Sequence, residues 1–251
     1  MCESVSGYCV QFRIYARKKI GDAQLPSSDA IVMELMRPYL SKGYTLYLDN
    51  WYSSSLLYQR LQEGGTNVLG TVRTNRKQMP PHFKTLKLKK GEVEAQFSLK
   101  MMALKWQDKK PVCILSTMHD SAEMTSTRKQ RSTATVTRPL PVVEYNKGMG
   151  GVDKMDQQLA LFPLMRRYLK GYKKIFFYIL DMCLFNSYCL YKKITKKKLK
   201  YCQFRLIVAE QLIERVKLPA YARIGRPAAD SEMRLQAAHW AHFAPPITVT
   251  A

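Results

Sequence analysis

The chain has 251 residues, of which 46% are hydrophobic, enough to bury one substantial core and so to exclude a disordered class. Forty-one Lys and Arg against 19 Asp and Glu give a formal charge of +22, an excess that repels itself unless an anionic partner relieves it. Nucleic acid is the commonest such partner, and no membrane partner is expected, because the most apolar run (175–191) is broken by Asp181 and Asn186 and falls short of the roughly 20 residues a bilayer requires.

In chain order, residues 7–16 (GYCVQFRIYA) are rich in β-branched and aromatic residues and predict a strand. Residues 30–40 carry Ile31, Met33, Leu35, Met36 and Leu40 at helical spacing, with Asp29 as the expected N-cap and Gly43 past the end. The run 44–49 is continuously apolar up to Asp49 and predicts a central strand with Asp49 at its C-terminal end. Ser53 is the expected cap of a helix that turns Leu56, Leu57 and Leu61 inward and stops at Gly64 and Gly65, and a strand follows at 68–72. Strand, helix, strand in this order predicts an α/β core with a parallel pair, in which functional side chains emerge at strand C-terminal ends.

From 76 to about 144 the texture changes to short alternating stretches at 93–97, 101–106 and 112–116, with turns at 89–92 and 107–110. Residues 125–138 are polar, basic and aperiodic and predict a mobile loop, followed by a strand at 142–145. Glycines 148, 150 and 151 then precede a helical pattern over 152–167, interrupted or bent at Pro163, and further helices are predicted at 169–193 and 204–216. No internal repeat is present. The six cysteines are scattered without a C-x-x-C pair and read as reduced thiols of an intracellular protein. From Arg166 to Arg226 there are 16 Lys and Arg and three acids, which makes this segment the electrostatic footprint.

Asp153 and Asp156 lie three apart, so on a helix both carboxylates project from one side and can converge on a ligand. With Asp49 as a third, they form the oxygen set that Mg²⁺ or Mn²⁺ requires. Two such ions ~3.5–4 Å apart activate water and stabilise the leaving oxygen of a phosphodiester, which joins the acids to the basic charge. The ordinary roles stand beside this reading: an Asp ending a strand forms turns, and acids in a first helical turn answer the macrodipole.

Four ordered blocks, LDNWYS at 48–53, GTVRTN at 70–75, YNKGMGGVDKMDQ at 145–157 and FNSY at 185–188, resemble the signature blocks of piggyBac-type transposases, and the likeness extends over 8–15 and the closing HWAHFAPP at 239–246. The resemblance implies an α/β fold: an RNase H-like transposase catalytic core, incomplete here, with a β-rich insertion and a helical, basic C-terminal region. Its expected divisions are a partial core over 1–75, the insertion over 76–144, core-completing helices with the acidic motif and basic stripe over 145–218, and an irregular tail over 219–251. Asp49 matches the second catalytic aspartate, Asp153 the third and Asp156 the accompanying acid, with Mg²⁺ or Mn²⁺ as the family's cofactor. The family's first aspartate lies upstream of residue 1, Glu3 reads as a turn acid, and the family's Cys/His-rich zinc-binding end has no counterpart after Cys202. The expectation is therefore a DNA-binding protein, transposase-derived, with doubtful metal occupancy, no zinc site and no strand cleavage by this chain alone. The alternative is a non-enzymatic, domesticated or decayed DNA-binding protein. The intact family implies a homodimer and nuclear residence.

Arg166, Arg167, Lys170, Lys173 and Lys174 interleave with tyrosines just after the acidic helix and are the candidate phosphate contacts, the bland alternative being a solvated helix face. The run 192–200 reads as an import signal or a second phosphate stripe. Trp51 is expected in the core or a site wall, and His82, His119, His239 and His242 form no metal cluster with the cysteines.

Overall fold

The computed structural model describes residues 1–14, 27–98, 100–128, 135–164, 167 and 170–216. The tail after 216 and the loop 129–134 lie outside them. Two compact units result, Met1–Gln157 and Gln158–Ala251.

In the first unit the apolar runs zip into a five-stranded mixed sheet in the order β1-β2-β5-β4-β3. β1 (Thr45–Leu48) and β2 (Asn67–Thr71) pair in parallel from Thr45↔Asn67 to Leu48↔Gly70, joined by helix α2 (Ser55–Glu63). This is the strand, helix, strand unit legible in the sequence. β3 (Val93–Ser98), β4 (Met101–Gln107) and β5 (Pro111–Ser116) form an antiparallel meander, and Leu69↔Ser116 begins the ladder that attaches β5 to β2. β1 is not central: among the described residues it pairs with β2 alone, and Thr45, Leu46 and Tyr47 remain partly exposed.

Strict alternation along the strands builds two cores. Val68, Ala103, Cys113 and Leu115 face α2 and helix α1 (Ser27–Met36), while Leu69, Met102, Leu104, Trp106 and Ile114 face helix α3 (Leu140–Gly148) through Val142. Lys105 falls on the α2 side of β4, and its buried ammonium donates to the carbonyls of Phe83 and Leu86, both at 2.6 Å. Asp29 is not an N-cap. It lies buried in the first turn of α1 and accepts the Ser54 hydroxyl at 2.6 Å, while Ser54, rather than Ser53, caps α2 by accepting from Leu57 N at 3.2 Å.

Three further expectations give way to pairing and packing. Residues 10–14 form no strand; in this stretch Cys2 and Cys9 make an isolated antiparallel bridge, flanked by Glu3 N to Tyr8 O and Val10 N to Met1 O. The polar run expected to be a loop forms a hairpin, β6 (Met124–Arg128) with β7 (Thr135–Pro139), since its threonines and Val136 suit a pleated ladder despite their polarity. Residues 142–145 are helical, within α3: Pro141 fits the first helical turn, and Val142 buries against the sheet.

Helix α4 (Gly151–Leu161) ends before Pro163, and the unit boundary falls within it. In the second unit α5 (Gly171–Thr195) and α6 (Tyr201–Arg215) pack through Phe185, Tyr188, Tyr201 and Phe204, with the Phe185 and Tyr201 rings 5.5 Å apart, edge to face. Asp181, which interrupts the apolar run, is buried there, accepts from Leu164 N at 3.0 Å and lies 3.6 Å from the Arg205 guanidinium. Among the described residues no helix is long and apolar enough to cross a membrane.

Candidate functional site

Asp49 follows the last residue of β1, at the strand's C-terminal end. Its Oδ1 accepts the backbone N–H of Trp51 at 3.1 Å and of Tyr52 at 3.3 Å, so one carboxylate oxygen is committed to the turn. Its carbonyl accepts the buried Ser53 hydroxyl at 2.8 Å, and Ser53 in turn lies 3.1 Å from the hydroxyl of Tyr58, which is fully buried. Burial pushes the Tyr58 phenol well above its ordinary range, and the Asp49 charge adds to the effect.

Tyr145, on α3, brings two of the acids into one neighbourhood. Its hydroxyl lies 3.4 Å from Thr71 Oγ1 on β2, and its pKa is raised by burial and then by the charges of Asp49 and Asp153 together. Asp153 stands exposed in the first turn of α4. Two motif glycines allow this approach: a Cβ on Gly148 would lie 2.3 Å from the Tyr47 ring, and one on Gly151 would lie 2.6 Å from the Glu3 carbonyl oxygen. The sequence marks these glycines only as preceding a helix. They are points where α3 and α4 are pressed onto β1 and onto the N-terminal hairpin, in which residues 1–3 run antiparallel to residues 8–10.

Asp156 is exposed on the same helix, but its charge acts on Cys2 of that hairpin. Cys2 Sγ lies 3.7 Å from Met155 Sδ, and its hydrogen bond to Cys9 lowers the Cys9 thiol to about 7 while raising its own. Among the described residues no three His, Cys, Asp or Glu side chains come together as a group that could hold a metal ion. Asp49, Asp153 and Asp156 are thus not joined as one ligand set, and the residues present do not complete the centre that Mg²⁺ or Mn²⁺ would need.

His119 carries a role that the sequence did not signal. Its Nδ1 shares a 2.7 Å hydrogen bond with the buried Ser116 hydroxyl at the end of β5, and its Nε2 lies 3.1 Å from Glu144 Oε2, beside Tyr145. It ties the sheet to the helix that presents Tyr145. Trp51 is not a core residue: it is 58% exposed, with the Arg73 guanidinium 5.9 Å from its ring centroid and Arg76 Nη2 donating to its carbonyl at 2.6 Å.

In the second unit Arg167, Lys170, Lys173 and Lys174 are exposed around the N-terminal end of α5, whose first turn carries no acid; Arg166 lies outside the described residues. Lys170 is the N-cap, and Tyr172 and Phe176 beside it are 64% and 60% exposed.

The chain is similar over most of its length to known proteins, among them the following. Human (Homo sapiens) PiggyBac transposable element-derived protein 2 is 25% identical over 190 residues, covering 68% of this chain and 31% of that protein. Human PiggyBac transposable element-derived protein 3 is 25% identical over 194 residues, covering 73% of this chain and 32% of that protein. The fold matches a piggyBac transposase, solved by cryo-EM as a synaptic complex with hairpin DNA, at a TM-score of 0.73 and 22% identity, over 88% of this chain and 48% of that one. The likeness identifies the α/β sheet and its helices as an RNase H-like core. The chain spans about a third of the length of these curated relatives. The profile of the Transposase IS4 family matches residues 1–188, and the chain belongs to that family, as a transposase-like protein of the piggyBac type.

Proposed function

We propose that this chain is a transposase-derived DNA-binding protein, and that it does not cut DNA by itself. The observation that carries the reading is the exposed cationic cluster of Arg167, Lys170, Lys173 and Lys174 at the acid-free start of α5, on a chain of net charge +22. Backbone N–H groups at a helix N-terminus favour anions, and the lysines add point charges suited to phosphate. Tyr172 and Phe176 offer ring faces beside them. Arg73 and Arg76, around Trp51, supply further cations next to Asp49 in the first unit.

The acidic residues support the second half of the proposal. Asp49 and Asp153 act on one tyrosine, Asp156 acts on a cysteine, and the three do not form one metal-holding group. The family's chemistry, metal-dependent strand cleavage and transfer, is the origin of the site, and no step of it is assigned to this chain.

Titrating a fluorescent duplex with the protein at several salt concentrations tests the reading. The expected result is sequence-tolerant binding whose log K falls linearly with log salt, with a slope lowered by about one for each of Lys170, Lys173 and Lys174 replaced by Gln. A flat response to salt, or a slope unmoved by the triple replacement, overturns it. Mg²⁺-dependent nicking of hairpin or duplex DNA by the purified chain overturns the claim of inactivity. The exposed lysines 192, 193, 196, 197, 198 and 200 fit nuclear import, and a reporter fusion that stays nuclear after Lys196, Lys197 and Lys198 are changed to Gln removes that role from them.

A further inference from the structure

The N-terminal hairpin holds two thiols in a geometry that neither the family blocks nor the DNA-binding reading uses. Cys2 and Cys9 face one another as an isolated antiparallel bridge. The flanking bonds, Glu3 N to Tyr8 O at 2.8 Å and Val10 N to Met1 O at 3.0 Å, make this the non-hydrogen-bonded kind of pair. In such a pair the Cα atoms approach to ~4.5 Å with side chains on the same face, inside the ~4.4–6.8 Å range that a disulfide tolerates. Cys2 Sγ rests on Met155 Sδ at 3.7 Å, and Cys9 Sγ lies 3.9 Å from the Gln11 carbonyl oxygen. No disulfide joins them in this structure, and the other cysteines lie elsewhere in the fold: Cys113 on β5, Cys183 and Cys189 on α5, Cys202 on α6.

We propose that Cys2 and Cys9 are a redox-active pair that closes to an intramolecular disulfide when it meets a small-molecule disulfide such as oxidised glutathione. One cysteine sulfur, losing its proton, attacks a glutathione sulfur and releases one glutathione thiol. The second cysteine sulfur then attacks the mixed disulfide, loses its proton and releases the second glutathione. The pair gives up two electrons and two protons, one S–S bond forms in the protein, and the glutathione S–S bond is reduced.

The bond would act on the helix that carries Asp153 and Asp156. Lys154 Nζ donates to Val5 O at 2.9 Å, and Gly151 packs against the Glu3 carbonyl, so the hairpin is the seat of the first turn of α4. Closing Cys2 to Cys9 fixes the two ends of that seat.

The test is differential alkylation of the whole chain, equilibrated across glutathione buffers of rising oxidation and mapped by mass spectrometry. Cys2 and Cys9 are expected to leave the alkylatable pool together, at one glutathione ratio, and to appear as a single Cys2–Cys9 linked species without glutathione attached. Alkylation after acid quench and unfolding reads every reduced thiol, and Cys113 and Cys189, buried like Cys9, are expected to stay reduced at every glutathione ratio. In Cys9→Ser, Cys2 has no resolving thiol and accumulates as the glutathione adduct. Amide exchange over 151–156 is expected to slow in the oxidised form. The proposal is overturned if Cys2 and Cys9 titrate at different ratios, if adducts rather than the linked species accumulate in the unsubstituted chain, or if both stay reduced in fully oxidised glutathione.

Discussion

At Gly148 a methyl group has no room, because it would stand 2.3 Å from the face of Tyr47. Gly148→Ala is expected to destabilise the chain by about 1–3 kcal/mol in urea unfolding, as overpacking does. Gly171 opens α5 with nothing within 4 Å of a Cβ, so Gly171→Ala should be neutral or stabilise by up to about 1 kcal/mol. Gly148 closes α3 and Gly171 opens α5, and the sequence does not signal which of them is crowded. The difference lies in a contact with Tyr47, 101 positions earlier than Gly148. Lys105 is a second case. Its charge reads as a solvent-facing position in a strand, yet the ammonium is buried and satisfies two carbonyls at the end of the short 3₁₀ turn Pro81–Lys84. Lys105→Met is expected to cost about 1.5–3 kcal/mol in the same measurement, since it removes two charge-assisted bonds and leaves buried acceptors unmade.

Between elements, the most informative titration is that of Tyr201, where α6 meets α5. Burial, opposed by Arg205 and aided by Asp181, pushes its phenol up to about 12, and its hydroxyl has no hydrogen-bond partner among the described residues. The unfolded chain releases this proton near pH 10, so the stability held by neutral Tyr201 is complete below that value and is lost as pH rises from about 10 to about 12. Tyr201→Phe should abolish that loss in thermal melts followed by circular dichroism, without destabilising at neutral pH, because no hydrogen bond is removed. The helices α5 and α6 were legible because periodicity survives over 25 and 15 residues. The strands 93–98, 101–107 and 111–116 were legible by alternation between turns. The α3 helix was not, because Val142 and Val143 carry strand propensity and only packing against the sheet overrules it. Of the candidate site, the positions of Asp49 and Asp153 followed from strand end and helix start. Tyr145 meets Thr71 across 74 positions, and the brace from His119 to Glu144 also joins residues far apart in the chain, which no local pattern encodes.

For the whole molecule, a charge of +22 on 251 residues is a standing repulsion that the fold withstands. Added sulfate or a short duplex should therefore raise the melting temperature, the duplex in a concentration-dependent way, while a neutral sugar polymer of similar size should not. A differential scanning series reads this directly, and equal shifts from the neutral polymer would assign the effect to crowding instead.

The mixed neighbours of β2, parallel on one side and antiparallel on the other, also set an order of assembly. Joining β1 to β2 closes a short loop through α2, whereas Leu69 reaches Ser116 only after a far longer segment has been drawn in, and Tyr145 arrives with a helix later still. The neighbourhood of Asp49 and Asp153 is thus expected to form late in folding. Substitutions in α3, such as Val142→Ala, should speed unfolding and leave the folding rate nearly unchanged in stopped-flow chevrons, whereas those in α2, such as Leu57→Ala, should slow folding.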